Sequence, residues 1–228
     1  MKRSATPELL DSNAGTPAEI AASLADLRLV NRWFGGASTM RDLIRGVVRR
    51  TGVRELSLLD VGSASGDIPV GVAAEFQGEG VRLDCVFLDR SSEHLNGTSP
   101  GVAADALSLP FRNRSFDLVS SSLLIHHLEP KEIIQFMNES LRVCRVAVLI
   151  NDLRRSLVHL GLVYSGYIFY RSRLTRHDAP ASVRRAYTPH ELRELLLRTS
   201  TSAVEIRKHY LCRMGAIAWK QPSSEPHG

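Results

Sequence analysis

The chain has 228 residues, 43% of them hydrophobic and 23% charged, with a formal net charge of +5. That length suits a single domain with a full core, which excludes a small module held together by disulfides. The positive excess is modest, carried mostly by arginine and mixed with acids along the chain, so composition alone points to neither a nucleic acid nor a membrane.

Residues 1–17, rich in Ser, Thr, Pro, Asn and Gly, predict a disordered tail. Glu8 and Asp11 interrupt any apolar run that would read as a signal peptide. Cys85, Cys144 and Cys212 form no CxxC pair and each sits among apolar residues. A reduced, cytoplasmic protein with no disulfide and no metal site is therefore expected. Pro17 opens a helical pattern in which Ile20, Leu24, Leu27 and Val30 recur at helix spacing, ending near Trp33 before Gly35-Gly36. A second helix is predicted from Ser38, a plausible N-cap, to the stop at Gly52.

An alternation of strands and helices follows. Strand 56–61 runs into Gly62-Ser63-Ala64-Ser65-Gly66, where small residues let the backbone turn sharply and let a ligand approach it. Pro69 suits the first turn of the helix over about 68–77. Strand 83–88 ends at Asp89, 91–97 reads as helix or loop, and a short strand near 101–104 ends at Asp105. Strand 116–121 precedes His126-His127, a helix begins at Pro130, and strand 146–151 comes after it. Thr188, Pro189 and Glu191 form a capping-box signature for a late helix. Strands near 203–210 and 214–219 close a domain spanning 18–220, and 221–228 read as a polar tail. Five strands alternating with helices, then a terminal strand pair, predict an α/β fold: a doubly wound, mostly parallel sheet covered on both faces.

Asp89 stands 23 residues after Gly66 (89 − 66) at the end of the second strand. A carboxylate there can accept hydrogen bonds from both hydroxyls of a ribose, which a nicotinamide cofactor and S-adenosylmethionine share. The loop lacks the GxGxxG spacing that brings a helix start onto a pyrophosphate. Asp105 at the end of the third strand can accept from an adenine amino group, with Leu109-Pro110-Phe111 as an apolar wall.

In this order, "LLDVGSASGD", "VFLDRS", "ADALSLPFRNRSFDLVSSSLLIHHL" and "VLINDL" resemble the class I S-adenosylmethionine-dependent methyltransferases over residues 54–152. The likeness is to the group that includes the ubiquinone and menaquinone biosynthesis enzymes. It implies a seven-stranded sheet of the Rossmann-like methyltransferase kind, with N-terminal helices and a helical insert after the fifth strand. It implies S-adenosylmethionine as cofactor, with Asp60, Gly62, Ser63, Ala64 and Gly66 around its methionine part. Asp89 and Arg90 would meet the ribose, Asp105 and Ala106 the adenine, and Ser120 and Ser121 the sulfonium. Ala64 departs from the family, which usually has glycine there; its methyl is tolerated if φ stays negative.

His126 and His127 follow the fourth strand, where donor and acceptor would meet, so either is a candidate base. Packing of one, with the other bonded to a backbone carbonyl, is the alternative. The insert 154–187 is apolar in its middle, carries Tyr164, Tyr167 and Tyr170 at three-residue intervals, and is too short to cross a membrane. It reads as a helical lid over an acceptor pocket or as a buried core helix, with at most peripheral membrane contact. "SRLTRHDAPASVRRAYTPHEL" resembles methyltransferases associated with polyketide synthases, which makes His177 a candidate base and Arg184 a candidate anchor for an acidic hydroxyl. A solvated charged loop is the alternative for these residues. Trp33 completes the candidate acceptor set.

The expected activity is methyl transfer to oxygen or carbon of a hydrophobic phenolic, quinol-like or polyketide small molecule in secondary metabolism, by a monomer or homodimer that binds no nucleic acid. An RNA or protein methyltransferase, and a catalytically silent donor-binding protein, are the alternatives.

Overall fold

The computed structural model describes the chain except residues 5, 11–13, 34, 65, 93–94, 96–99, 210–211 and 222–228, and the side chains of 28 and 31–33. The expected Trp33 contact, most of the 91–97 segment and the terminal tail thus lie outside the described residues.

Seven strands form one sheet in the order β3-β2-β1-β4-β5-β7-β6. They are β1 (Glu55–Val61), β2 (Arg82–Asp89), β3 (Gly101–Ala103), β4 (Phe116–Ser122), β5 (Cys144–Leu153), β6 (Thr201–His209) and β7 (Arg213–Lys220). Strands β1 to β5 pair in parallel, and β7 lies antiparallel between β5 and β6. Strands β1, β4 and β5 are buried on both faces along most of their length, because helices cover both sides of the sheet. On one face, α2 (Gly36–Thr51) and α3 (Asp67–Gly78) set Met40, Ile44, Val72 and Phe76 against Leu58, Leu118 and Leu149. On the other, α4 (Pro130–Val143) and α7 (Pro189–Leu196) set Ile133, Phe136, Met137 and Leu192 against Leu59, Val119 and Val148. The predicted capping box of α7 is present, Thr188 Oγ1 accepting from the Glu191 amide while the Glu191 carboxylate accepts from Thr188 N.

Strand order reverses between β1 and β4. Crossovers leave these two strands in opposite directions, opening a crevice at their carboxyl ends where a ligand can reach the main chain. Three further helices gather on that side. Helix α1 (Pro17–Trp33) and helix α5 (Leu157–Ser165) each pack on α6 (Arg173–Arg185), which in turn packs on the 3₁₀ turn Ile125–His127 after β4.

Two sequence expectations are corrected here, and one choice between alternatives is decided. Described residues of the segment read as a disordered tail lie on the body: Arg3 bonds the Glu129 carboxylate and the Leu128 and Arg185 carbonyls, and the amides of Leu9 and Leu10 donate to the buried Asp178 carboxylate. Polar composition was the only signal for disorder, and here polar groups find partners instead. Helix α2 starts at Gly36 behind a left-handed Gly35, with Ser38 inside its first turn and not at its N-cap. Residues 173–185 form a helix through Pro180, where a loop was the alternative. A proline there forfeits one helix hydrogen bond, offset by burying Leu174, Ala181 and Val183.

Candidate functional site

The loop after β1 is built from left-handed residues. Gly62, Ala64 and Gly66 have φ of 69°, 46° and 65°. A side chain at Gly66 would place its Cβ 2.8 Å from the Phe87 ring. The negative φ expected at Ala64 is therefore corrected. An L-residue in this region costs roughly 1–2 kcal/mol, and a bond from the Ala64 amide to Asp89 Oδ2 at 2.9 Å helps to hold it there. Asp89 also accepts from Ser91 N at 3.0 Å, so its carboxylate ties the ends of β1 and β2 together.

Beneath the loop, Asp60 is buried and accepts from Ser120 Oγ at 2.5 Å. Burial pushes its carboxyl from the ordinary 3.8 up to about 7; the Ser120 hydrogen bond opposes this, and the charges of Asp67 and Asp89 add to it. A carboxyl raised in the fold contributes stability that is complete below 3.8 and is lost as pH rises through 7. Asp60→Asn, which stays neutral, should therefore melt progressively higher than the parent between pH 5 and 8. The expected gain is roughly 1.4 kcal/mol for each pH step of one up to 7. A melting difference that does not change with pH would refute this.

Ser121 Oγ is buried at the end of β4 with no hydrogen-bond partner among the described residues. Asp105 is exposed and fastens its own turn through the Leu107 amide, Ala106 is half-buried, Ser63 is buried, and Arg90 is exposed. Left-handed glycines that allow close approach, two carboxylates at successive strand ends and an orphaned serine hydroxyl fit the groups of S-adenosylmethionine. Asp89→Ala should weaken its binding by about 1.5–3 kcal/mol, the range for hydrogen bonds to a charged group, measured by calorimetry.

Two cavities, of about 280 and 210 Å³, adjoin under α1, α5 and α6. Val30, Leu153, His159, Val163 and Tyr170 line both. The larger is walled mainly by leucine, valine and phenylalanine, with Asp26 and Arg213 as its charged residues. The smaller reaches Leu123, Glu8, His126 and His127. Leu124, next in the chain, packs on Gly62 of the loop after β1. The smaller cavity therefore lies next to that loop.

His126 is buried, and its Nδ1–H donates to Asp152 Oδ1 at 2.7 Å. Asp152 also accepts from the His126 amide. Burial alone would raise the Asp152 carboxyl, but the neighbouring His126 holds it below the ordinary value. His127 is partly exposed, with Nε2 4.0 Å from Glu8 Oε2. His177 is half-exposed on α6, bonded through Nδ1 to Asp178, and lines neither cavity. Tyr164, Tyr167 and Tyr170 form a ladder with ring centroids 5.2 and 6.0 Å apart. Tyr170 is the member that reaches the cavities, while Tyr164 is exposed and accepts from Arg184 at 2.8 Å.

Sequence reasoning missed Glu8, Asp152, His159 and Arg213. His159 donates from Nδ1 to the Arg154 carbonyl, and burial lowers its pKa to about 4, so the ring is neutral and Nε2 is an acceptor. Arg213 is buried at the start of β7, and burial lowers its pKa to about 10 against the pull of Asp152. Only a charged residue opening an otherwise apolar strand marked it in sequence.

Residues 59–149 match a family model described as a methyltransferase domain. A biotin biosynthesis bifunctional protein, BioHC, of Cellvibrio japonicus (strain Ueda107) is 30% identical over 139 residues, covering 56% of this chain and 27% of that protein. The chain thus spans about a quarter of that relative's length. Among solved structures, the plantazolicin methyltransferase BpumL in complex with SAH superposes with a TM-score of 0.67 at 14% identity, over 94% of this chain and 95% of that one. Magnesium protoporphyrin IX methyltransferase from Synechocystis PCC 6803, with bound SAH, superposes with a TM-score of 0.54 at 12% identity, over 82% and 84%. At these identities the superpositions establish the fold.

Proposed function

We propose that this chain, whose residues 59–149 match a methyltransferase domain, is a class I S-adenosylmethionine-dependent methyltransferase that methylates a hydroxyl oxygen of a hydrophobic aromatic small molecule. The observation that carries this is the pair of apolar cavities under α1, α5 and α6, with His126, bonded to the buried Asp152 behind it, in the wall of the smaller one. Asp60, Gly62, Gly66, Asp89, Asp105 and Ser121 would hold the donor. S-adenosylmethionine, when bound, supplies a methyl group on a cationic sulfur that leaves neutral.

The protein's own contribution is alignment, exclusion of water and management of one proton. Val30, Leu153, Val163 and Tyr170 give the acceptor ring apolar and aromatic surface. A phenol with pKa near 10 is protonated at neutral pH, and a base beside it adds roughly 10²–10⁴-fold. His126 is suited to be that base, since Asp152 holds its Nδ1–H and leaves Nε2 to take the proton. His159 Nε2 is a second acceptor in the same wall.

Purified protein given S-adenosylmethionine and a panel of phenols and carboxylic acids tests this. Turnover confined to the acids would overturn the phenolic assignment. Tyr170→Ala should change acceptor KM or turnover most, Tyr167→Ala and Tyr164→Ala less, with donor affinity within about twofold. Arg171→Ala and Arg173→Ala should matter little and without dependence on salt. A nucleic-acid substrate predicts the reverse for the arginines, with a salt slope that flattens by about one for each lost phosphate contact.

A further inference from the structure

The N-terminal segment delivers a carboxylate to the two histidines after β4. Glu8 is buried, its Oε1 lies 3.7 Å from His126 Nε2, and its Oε2 lies 4.0 Å from His127 Nε2. One ligand atom from each of the three residues falls within 4.8 Å of the others. From the juxtaposition of Glu8, His126 and His127 at the wall of the smaller cavity, we propose that these residues bind a divalent transition-metal ion, zinc being the one that two imidazoles and one carboxylate suit best.

The surroundings are those of a metal site and not only of a buried ion pair. Asp152 Oδ1 accepts from His126 Nδ1–H at 2.7 Å, which fixes the tautomer with Nε2 turned toward Glu8 and makes it a stronger donor to a cation. Glu8 Oε1 is itself held by Ser182 Oγ at 2.8 Å. A tetrahedral ion with bonds of about 2.0–2.1 Å wants its ligand atoms roughly 3.3 Å apart, so the three side chains need draw in by about 1 Å or somewhat more. Three protein ligands leave the fourth position toward the cavity. A metal held there would take His126 Nε2 and so replace it as the base, with the acceptor hydroxyl as fourth ligand losing its proton to solvent more readily. That consequence rests on the acceptor reading above; the site itself does not.

The purified 228-residue chain, stripped with a chelator, is titrated with Co²⁺ alone, with no donor and no acceptor present. The expected result is one equivalent bound, with the intense visible absorption of four-coordinate cobalt, displaced by Zn²⁺. Two hyperfine-shifted imidazole N–H resonances should appear, one of them slow to exchange because Asp152 covers it. Glu8→Gln and His127→Gln should each weaken cobalt binding more than tenfold, and Asp152→Asn by about 10–100-fold. His190→Gln, exposed on α7, should bind as the parent does. His127 is partly exposed, so its variant is the one expected to keep the fold, checked by circular dichroism. No stoichiometric uptake below about 100 µM cobalt, or uptake unchanged in Glu8→Gln and His127→Gln, would overturn the site. Methyl transfer that persists in stripped protein alongside such a result would remove the metal and leave the methyltransferase reading intact.

Discussion

Gly66→Val is expected to abolish S-adenosylmethionine binding. Gly66 has φ of 65°, a region where a β-branched residue is an outlier, and it stands at the N-cap of α3 in the loop proposed to hold the donor. Its new Cβ would fall 2.8 Å from the Phe87 ring, and Phe87 is itself buried at 5% exposure, so the ring has little room to give. Left-handed strain costs roughly 1–2 kcal/mol and overpacking roughly 1–3 kcal/mol, so the melting point should fall as well. Gly66→Ala carries the same φ penalty with a smaller clash, and should bind donor at least tenfold more weakly while remaining folded. Calorimetry on both variants is the check. Donor affinity in Gly66→Ala equal to that of the parent would move the donor pocket elsewhere.

His126→Gln should lower turnover by roughly 10²–10⁴-fold with donor affinity within about twofold. Glutamine can still donate to Asp152 from its amide, so the buried carboxylate keeps a partner, but it cannot take a proton. Asp152 stays ionised through neutral pH, because His126 outweighs the effect of burial on its carboxyl. Removing the imidazole therefore removes the proton acceptor and also the group that holds the buried carboxyl down. Turnover within about threefold of the parent, at saturating acceptor, would show that methyl transfer here needs alignment alone.

The elements around the donor loop were legible because their signals are local. An apolar strand, a run of small residues and a proline one turn into a helix lie within 14 residues (56–69), and each acts on its immediate neighbours. The α7 capping box was readable for the same reason, as its hydrogen bonds span three residues. Ser38 misled by the same logic, since a serine at a helix start is an N-cap only if no earlier residue begins the helix; Gly35 in its left-handed conformation begins it sooner. The sign of φ at Ala64 was not readable, because alanine prefers the opposite region. A bond to Asp89, 25 residues on, helps to hold it where it is.

By itself the sequence determined the α/β class, the strand–loop–helix unit at 55–78 and the order of residues along the sheet's carboxyl edge, all properties of short spacings and strand periodicity. The tertiary structure alone decided what stands opposite His126. Glu8 arrives from a polar N-terminal segment, Asp152 from the end of β5 and His159 from the first turns of α5. None of these shares a local pattern with the histidine pair; the docking of the N-terminal segment and the packing of α1, α5 and α6 bring Glu8 and His159 to one cavity with His126, and the end of β5 sets Asp152 behind it. Burial then sets the chemistry: Asp60 is raised and His159 lowered because the folded chain withdraws water from them, which no spacing of residues along the chain encodes.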